Sequence, residues 1–266
     1  MEDTQTVEPP VARRPVERLV MPLSFGSLFA GIGGFDLGFE RAGMVCKWQV
    51  EIDDYANRVL AKHWPTVRRW PDVRTWPQPD TERVDVICGG FPCQDISHAG
   101  KQVGIEGERS GLWFEFARVI RELRPRFVLV ENVPALLIRD RGMGAVLGEL
   151  AECGYDAEWD CVGADFMGST QHRERVWILA YANGAGLQGP IWAGQQGEAW
   201  PSWETARCES VRSDRGPWPP GPRAVSAIPR MADGPTHRME RLRGIGNAVV
   251  PQVAEWIGRR IIAAVS

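Results

Sequence analysis

A chain of 266 residues with 44% hydrophobic and 24% charged side chains has enough apolar material for one large α/β domain, and it is not biased as disordered or fibrous chains are. Its formal net charge of -3 excludes a protein that coats nucleic acid through overall charge, although local basic patches still act over about 8–10 Å. With no signal-peptide pattern and no run of about 18 apolar residues, the chain reads as cytoplasmic with free thiols and no membrane contact.

In chain order, residues 1–22 mix charge and proline without apolar periodicity and read as a disordered leader. From residue 23, "LSFGSLFA" predicts a buried strand, "GIGG" a tight turn and "FDLGFERAG" a helix stopped at Gly43. "CKWQV" predicts a second strand ending on Glu51, and "DDYANRVLAKHW" a helix with Tyr55, Val59, Leu60 and His63 on one face. "VDVIC" is a third strand, "SGLWFEFARVIRELRP" a helix cut off by Pro125, and "RFVLVENVP" a fourth strand. A helix interrupted near Gly142 follows, and then the strands "AEWDCVGA" and "RVWILAYA". Alternating strands and helices predict an α/β fold with a doubly wound, mostly parallel sheet across residues 23–182.

Residues 183–235 are rich in Gly and Pro and carry Trp192, Trp200, Trp203 and Trp218 without helix or strand period. A long segment of this kind is functional or disordered, and its tryptophans favour ordering around a partner. Residues 236–266 return to order, with Val253, Trp256, Ile257 and Ile261 on the apolar face of a closing helix.

Six cysteines show neither a CxxC pair nor zinc-finger spacing, so no metal is expected. Only Lys47, Lys62 and Lys101 are lysines; the arginine bias suits phosphate or guanine contacts but follows more simply from a GC-rich genome.

The polar motifs fall at strand exits, where sheets of this kind bind ligands. The loop "FAGIGGF" presents backbone N–H groups to a ligand, but its Gly31, Gly33 and Gly34 lack the dinucleotide-fingerprint spacing. Glu51 ends the second strand, where a carboxylate can accept from a ribose diol. Asp72, beside Val73, could meet an adenine amino group or simply cap a turn. In "GGFPCQ", Cys93 follows a rigid proline and two glycines that leave its approach open, as a reactive thiol needs. Glu131 and Asn132, in "ENV", leave a strand expected to neighbour that of Cys93, and partial burial would keep the Glu131 carboxyl protonated. Arg173 and Arg175, in "QHRER", project to the same side of an extended strand.

Together these pieces resemble the C5-cytosine DNA methyltransferases in their compact bacterial and phage form. "FAGIGGFDLGFE", "EIDDYA", "DV", "GGFPCQ", "RSGLWFEFARVI", "ENV", "QHRER" and "GNAVVP" occur in the family's order across residues 28–251. The resemblance implies a Rossmann-like fold that transfers methyl from S-adenosyl-L-methionine to C5 of a cytosine flipped out of double-stranded DNA, with S-adenosyl-L-homocysteine as product. Cys93 would add to C6, Glu131 would protonate N3, Arg173 and Arg175 would hold O2 and the neighbouring backbone, and Asn132 would brace the cysteine loop. Phe29, Gly31, Gly33 and Gly34 would line the methionine end of the cofactor. Glu51 would take the ribose, Ile52 and Val73 would flank adenine, Asp72 would bond its amine, and Pro92 and Asn247 would complete the pocket. Gln94 would contact DNA, as would Ser97, Lys101 and Arg109 on the mobile loop "SHAGKQVGIEGERSG" that would close on it.

The family default is a monomer, serving a restriction-modification pair with a cognate endonuclease, an orphan role or phage protection. The recognition segment, 183–235, is short and lacks the family's usual arginine-leucine-threonine-glutamate block, which predicts a short or degenerate target. A non-catalytic DNA-binding relative would have lost the nucleophile or acid. A transfer-RNA methyltransferase of the same fold would show a different tripeptide, and a nicotinamide oxidoreductase would leave Cys93, Glu131 and the arginine pair unexplained.

Overall fold

The computed structural model describes residues 21–92, 111–138, 142–169, 173–183 and 238–265. The expected leader through residue 20 and nearly all of the expected recognition segment lie outside the described residues. Strands β1 (Ser24–Leu28), β2 (Val45–Val50), β3 (Arg68–Trp70), β4 (Val86–Gly89) and β5 (Phe127–Asn132) run parallel. Strands β6 (Tyr155–Gly163) and β7 (Glu174–Ala182) complete one sheet in the order β3-β2-β1-β4-β5-β7-β6, and β7 is antiparallel to both of its neighbours. The doubly wound, mostly parallel α/β fold expected from the sequence is therefore present.

The strand residues alternate between the two faces of this sheet, because successive side chains point opposite ways. On one face Ile87, Val128, Val130, Val176 and Ile178 pack under α3 (Leu112–Leu123) and α4 (Met143–Glu152). On the other, Val86, Cys88, Phe127, Leu129 and Trp177 pack under α1 (Gly34–Ala42) and the last helix, α6 (Pro251–Ala263). Two apolar layers around one sheet bury Phe25, Leu28, Trp113, Phe116 and Ile257 almost completely, each such side chain contributing about 1.5–3 kcal/mol. Helix α2 (Asp54–His63) starts with the Asp53 carboxylate accepting the Ala56 N–H at 2.8 Å.

Two features were not anticipated. The three-residue β3 is too short to show a period. The expected closing helix is α6, and a separate helix, α5 (Arg238–Asn247), precedes it; the two are distinct because Pro251 opens a new first turn and Val250 before it is extended. The break leaves residues 248–250 as a short linker beside α1. Helix α6 packs very closely there: a Cβ on Gly34 would stand 2.4 Å from the Val249 carbonyl oxygen, and one on Gly38 would stand 2.5 Å from that of Pro251.

Candidate active site

The carboxyl ends of β1, β2, β4 and β5 open into a cleft of about 810 Å³, which the start of β7 and the end of α5 also border. On the β1 side lie Phe29 and Gly31. Gly31 has φ +55°, a left-handed conformation that glycine adopts without cost, and a Cβ built there would meet nothing within 4 Å. Its N–H donates to Glu51 Oε2 at 2.6 Å, and the Asp53 N–H donates to Glu51 Oε1 at 2.8 Å. The Glu51 carboxylate is thus fixed by two backbone donors at the end of β2. Burial nonetheless pushes its pKa above the usual range.

Exposed Ile52 and buried Val73 form the neighbouring wall. Asp72 also borders the cleft, but it caps the short turn Val73–Thr75 by accepting the Arg74 N–H, and it takes three bonds from Nε and Nη2 of the Arg74 guanidinium. Arg74 holds the Asp72 carboxyl below the usual carboxylate range. The capping role left open by the sequence is occupied in this structure.

Strands β4 and β5 are adjacent and parallel, with Gly89 opposite Val130. The segment carrying Phe91 and Pro92 therefore leaves the sheet beside Glu131. Pro92 lines the cleft together with Glu131 and Asn132. Asn132 Nδ2 donates to the Phe91 carbonyl at 3.3 Å, which ties the start of the cysteine loop to β5. Cys93 itself, with Gln94, Ser97, Lys101 and Arg109, lies outside the described residues.

Glu131 is almost completely buried, and Arg175 Nε stands 3.1 Å from its Oε1. That contact is an ion pair lying off the N–H direction, so Oε1 has no aligned donor among the described residues. A Cβ on Gly90 would lie 3.0 Å from Oε2, so the second glycine of "GGFPC" leaves the carboxyl its room. Burial pushes the Glu131 pKa up to about 7, against the pull of Arg175 and Arg173. The result is a carboxyl divided between its acid and base forms near neutral pH.

Three of the expected site residues are engaged by the surrounding structure. Gly33 and Gly34 do not border the cleft: their missing side chains admit the Trp64 ring and the Val249 carbonyl. Arg173 reaches the cleft, but its Nη1 and Nη2 donate to the Gly246 and Ala248 carbonyls at 2.7 and 2.9 Å. It binds the two residues flanking Asn247, which brings Asn247 to the cleft wall 74 positions along the chain. Sequence reasoning did not assign Tyr55, Arg74 or Gly244 to the cleft. Only Tyr55 carried a signal, as part of "EIDDYA".

The family profile described as C-5 cytosine-specific DNA methylase matches residues 23–209, more than two thirds of the sequence. The chain belongs to that family. Among its relatives, the type II methyltransferase M.Eco47II of Escherichia coli is 40% identical over 161 residues, covering 59% of this chain and 39% of that protein. M.HhaI of Haemophilus parahaemolyticus is 34% identical over 168 residues, covering 62% and 51% respectively. The chain thus spans about two fifths to one half of the length of these relatives. A crystal structure of a prophage-encoded E. coli protein described as a DNA modification methyltransferase superposes with a TM-score of 0.55 at 26% identity, over 65% of this chain and 51% of that one. A DNMT2 variant from Spodoptera frugiperda shares the fold with a TM-score of 0.53 at 20% identity, over 63% of this chain and 52% of that one. Among the described residues no helix is long and apolar enough to cross a membrane.

Proposed function

We propose that this family member is a DNA (cytosine-5)-methyltransferase that acts on a cytosine flipped out of double-stranded DNA, with S-adenosyl-L-methionine as donor. The observation that carries the reading is Glu131, a buried carboxyl with an unaligned oxygen, set beside the strand that leads to Cys93 and sharing one cleft with Glu51. The residues present suit the donor. Gly31 leaves an open cradle where any side chain would intrude, Glu51 offers a fixed acceptor for a ribose diol, and Ile52 and Val73 supply apolar walls for adenine. Phe29, Asp72, Pro92 and Asn247 complete that pocket. When bound, S-adenosylmethionine supplies the methyl group, and the remaining work falls to the chain.

Cytosine C5 is a weak nucleophile until its ring is made electron-rich. The Cys93 thiolate adds to C6, while Glu131 gives its proton to N3 and so neutralises charge that builds on the ring. A carboxyl near pKa 7 suits this step, since it holds a proton at neutral pH and can release it. Arg175 holds the O2 side of the base, a role its pairing with Glu131 supports. Once C5 carries its methyl group, water removes the C5 proton, the bond from Cys93 to C6 breaks to release the thiolate, and N3 returns its proton to Glu131. Asn132 steadies the cysteine loop through the Phe91 carbonyl. The loop bearing Ser97, Lys101 and Arg109 closes on DNA, which Gln94 also contacts. Residues 183–235 read a short or degenerate site, and the chain acts as a cytoplasmic monomer in protective methylation, alone or beside an endonuclease.

Host DNA digested to nucleosides after expression should contain 5-methylcytosine, and an oligonucleotide bearing 5-fluorocytosine should form a covalent adduct. Cys93→Ser should lose both signals yet keep S-adenosylhomocysteine binding. Undiminished transfer by that variant, or no 5-methylcytosine from folded, cofactor-binding protein, would overturn the proposal.

A further inference from the structure

We propose that Arg118, on the far side of the cleft wall, is a positioning residue for the nucleoside half of the cofactor; this rests on the donor assignment above. Arg118 does not border the cleft. It projects from the middle of α3 towards the turn Val73–Thr75, whose residues Asp72, Val73 and Arg74 do border it. Its Nη2 donates to the Val73 carbonyl at 2.7 Å and to the Trp76 carbonyl at 2.6 Å, closing on both ends of the turn from outside. The other side of the guanidinium is held by its own helix. Nε pairs with Glu115 and Nη1 with Glu122, both at 2.8 Å, one turn before and one turn after.

The arrangement is directional. A guanidinium presents its donors in a fixed planar fork, so carboxylates held at Nε and at Nη1, on either side of Nη2, set where Nη2 points. The turn it grips has little regular structure of its own. It follows the three-residue edge strand β3, with one 3-10 turn and an Asp72 cap. The Trp76 ring packs on Trp48 and Trp70, and the Trp76 backbone N–H closes the turn with a 3.2 Å bond to the Val73 carbonyl, which Arg118 holds a second time from outside. The Val73 carbonyl held by Arg118 belongs to the residue whose side chain walls the cleft. A shift there moves the apolar wall and the neighbouring Asp72 together. Arg118 thus sets the width of the slot without touching its occupant.

The test uses the full chain and S-adenosylhomocysteine as the calorimetric probe, with steady-state methylation of DNA in parallel. Arg118→Met keeps the aliphatic stem and removes the fork; it should weaken S-adenosylhomocysteine binding about tenfold, the effect of losing roughly one charge-assisted hydrogen bond. The KM for S-adenosylmethionine should rise to match, with kcat at saturating donor unchanged within about twofold, because bound donor meets intact chemistry. Arg118→Lys, which restores one cation, should recover part of the affinity. Arg121→Met, on the same helix but paired with Glu149 at the surface, should bind as the unaltered chain does.

If Arg118→Met fails to fold, the Lys variant and the Glu115→Gln, Glu122→Gln double variant decide, since the latter keeps the fork and frees its anchors; each should raise the same KM. Affinity equal to that of the unaltered chain, or a fall in kcat at constant KM, would overturn the proposal. A loss in the Lys variant as large as that in the Met variant would overturn it too. Absence of S-adenosylhomocysteine binding by the unaltered chain would instead remove the donor assignment, and this inference with it.

Discussion

Replacing Glu131 with glutamine should change how stability depends on pH, in a direction set by burial. The carboxyl is raised from 4.5 to about 7, first by burial, with Arg175 and Arg173 opposing. A shift of that size corresponds to about 3 kcal/mol between the two protonation states. Because the folded state raises this acid, its stabilising contribution is complete below pH of about 4.5 and is lost as pH climbs through about 7. Glutamine resembles the protonated acid in shape and faces the same two arginines. Near pH 5 the variant should therefore match the unaltered protein, and at about pH 8.5 it should exceed it by about 2–3 kcal/mol.

Urea unfolding at the two pH values measures this directly, and in thermal melts each kcal/mol corresponds to about 2–4 °C in a chain of this size. Asp36 and Asp160, both raised to about 6, also titrate in this range, but they cancel in the difference between variant and parent. Methylation should be lost at every pH, since glutamine has no proton to give N3. A stability difference that stays constant from pH 5 to pH 8.5 would refute the assignment of a buried, part-protonated carboxyl.

Gly34→Ala should destabilise the fold by about 1–3 kcal/mol in denaturant titration, because its Cβ would stand 2.4 Å from the Val249 backbone oxygen, which has no free rotation to escape. Arg173→Met should loosen the linker at Asn247 by removing its bonds to the Gly246 and Ala248 carbonyls; faster amide exchange across residues 246–250 and weaker S-adenosylhomocysteine binding would report it. Asp36→Asn should stabilise the chain by about 3 kcal/mol at pH 8 and hardly at pH 4. There burial raises the carboxyl to about 6, although Gln49 and Ser27 donate to it. Melting curves at both pH values would check this.

Apart from β3 and α5, the order of strands and helices, the family and the polar residues at the strand exits were legible in the sequence, because period, glycine stops and short motifs are local properties. Adjacency of β4 and β5 followed from one helical crossover between them, so Glu131 could be expected beside the Cys93 strand. What the sequence could not determine was which partner each polar group would take. Arg173 and Arg175 share a motif and a strand end, yet Arg175 pairs with Glu131 while Arg173 fastens a linker 73 to 75 positions away. Asp72 turns to Arg74, and Arg118 reaches the cleft wall from behind. Gly34 sits in a ligand-loop motif but serves the approach of the closing helix. Such choices depend on distances between segments remote in sequence, and only packing around the sheet fixes those distances. Local chemistry thus selected the fold and the candidate polar groups, and tertiary contact decided which of them face the cleft and which hold it open.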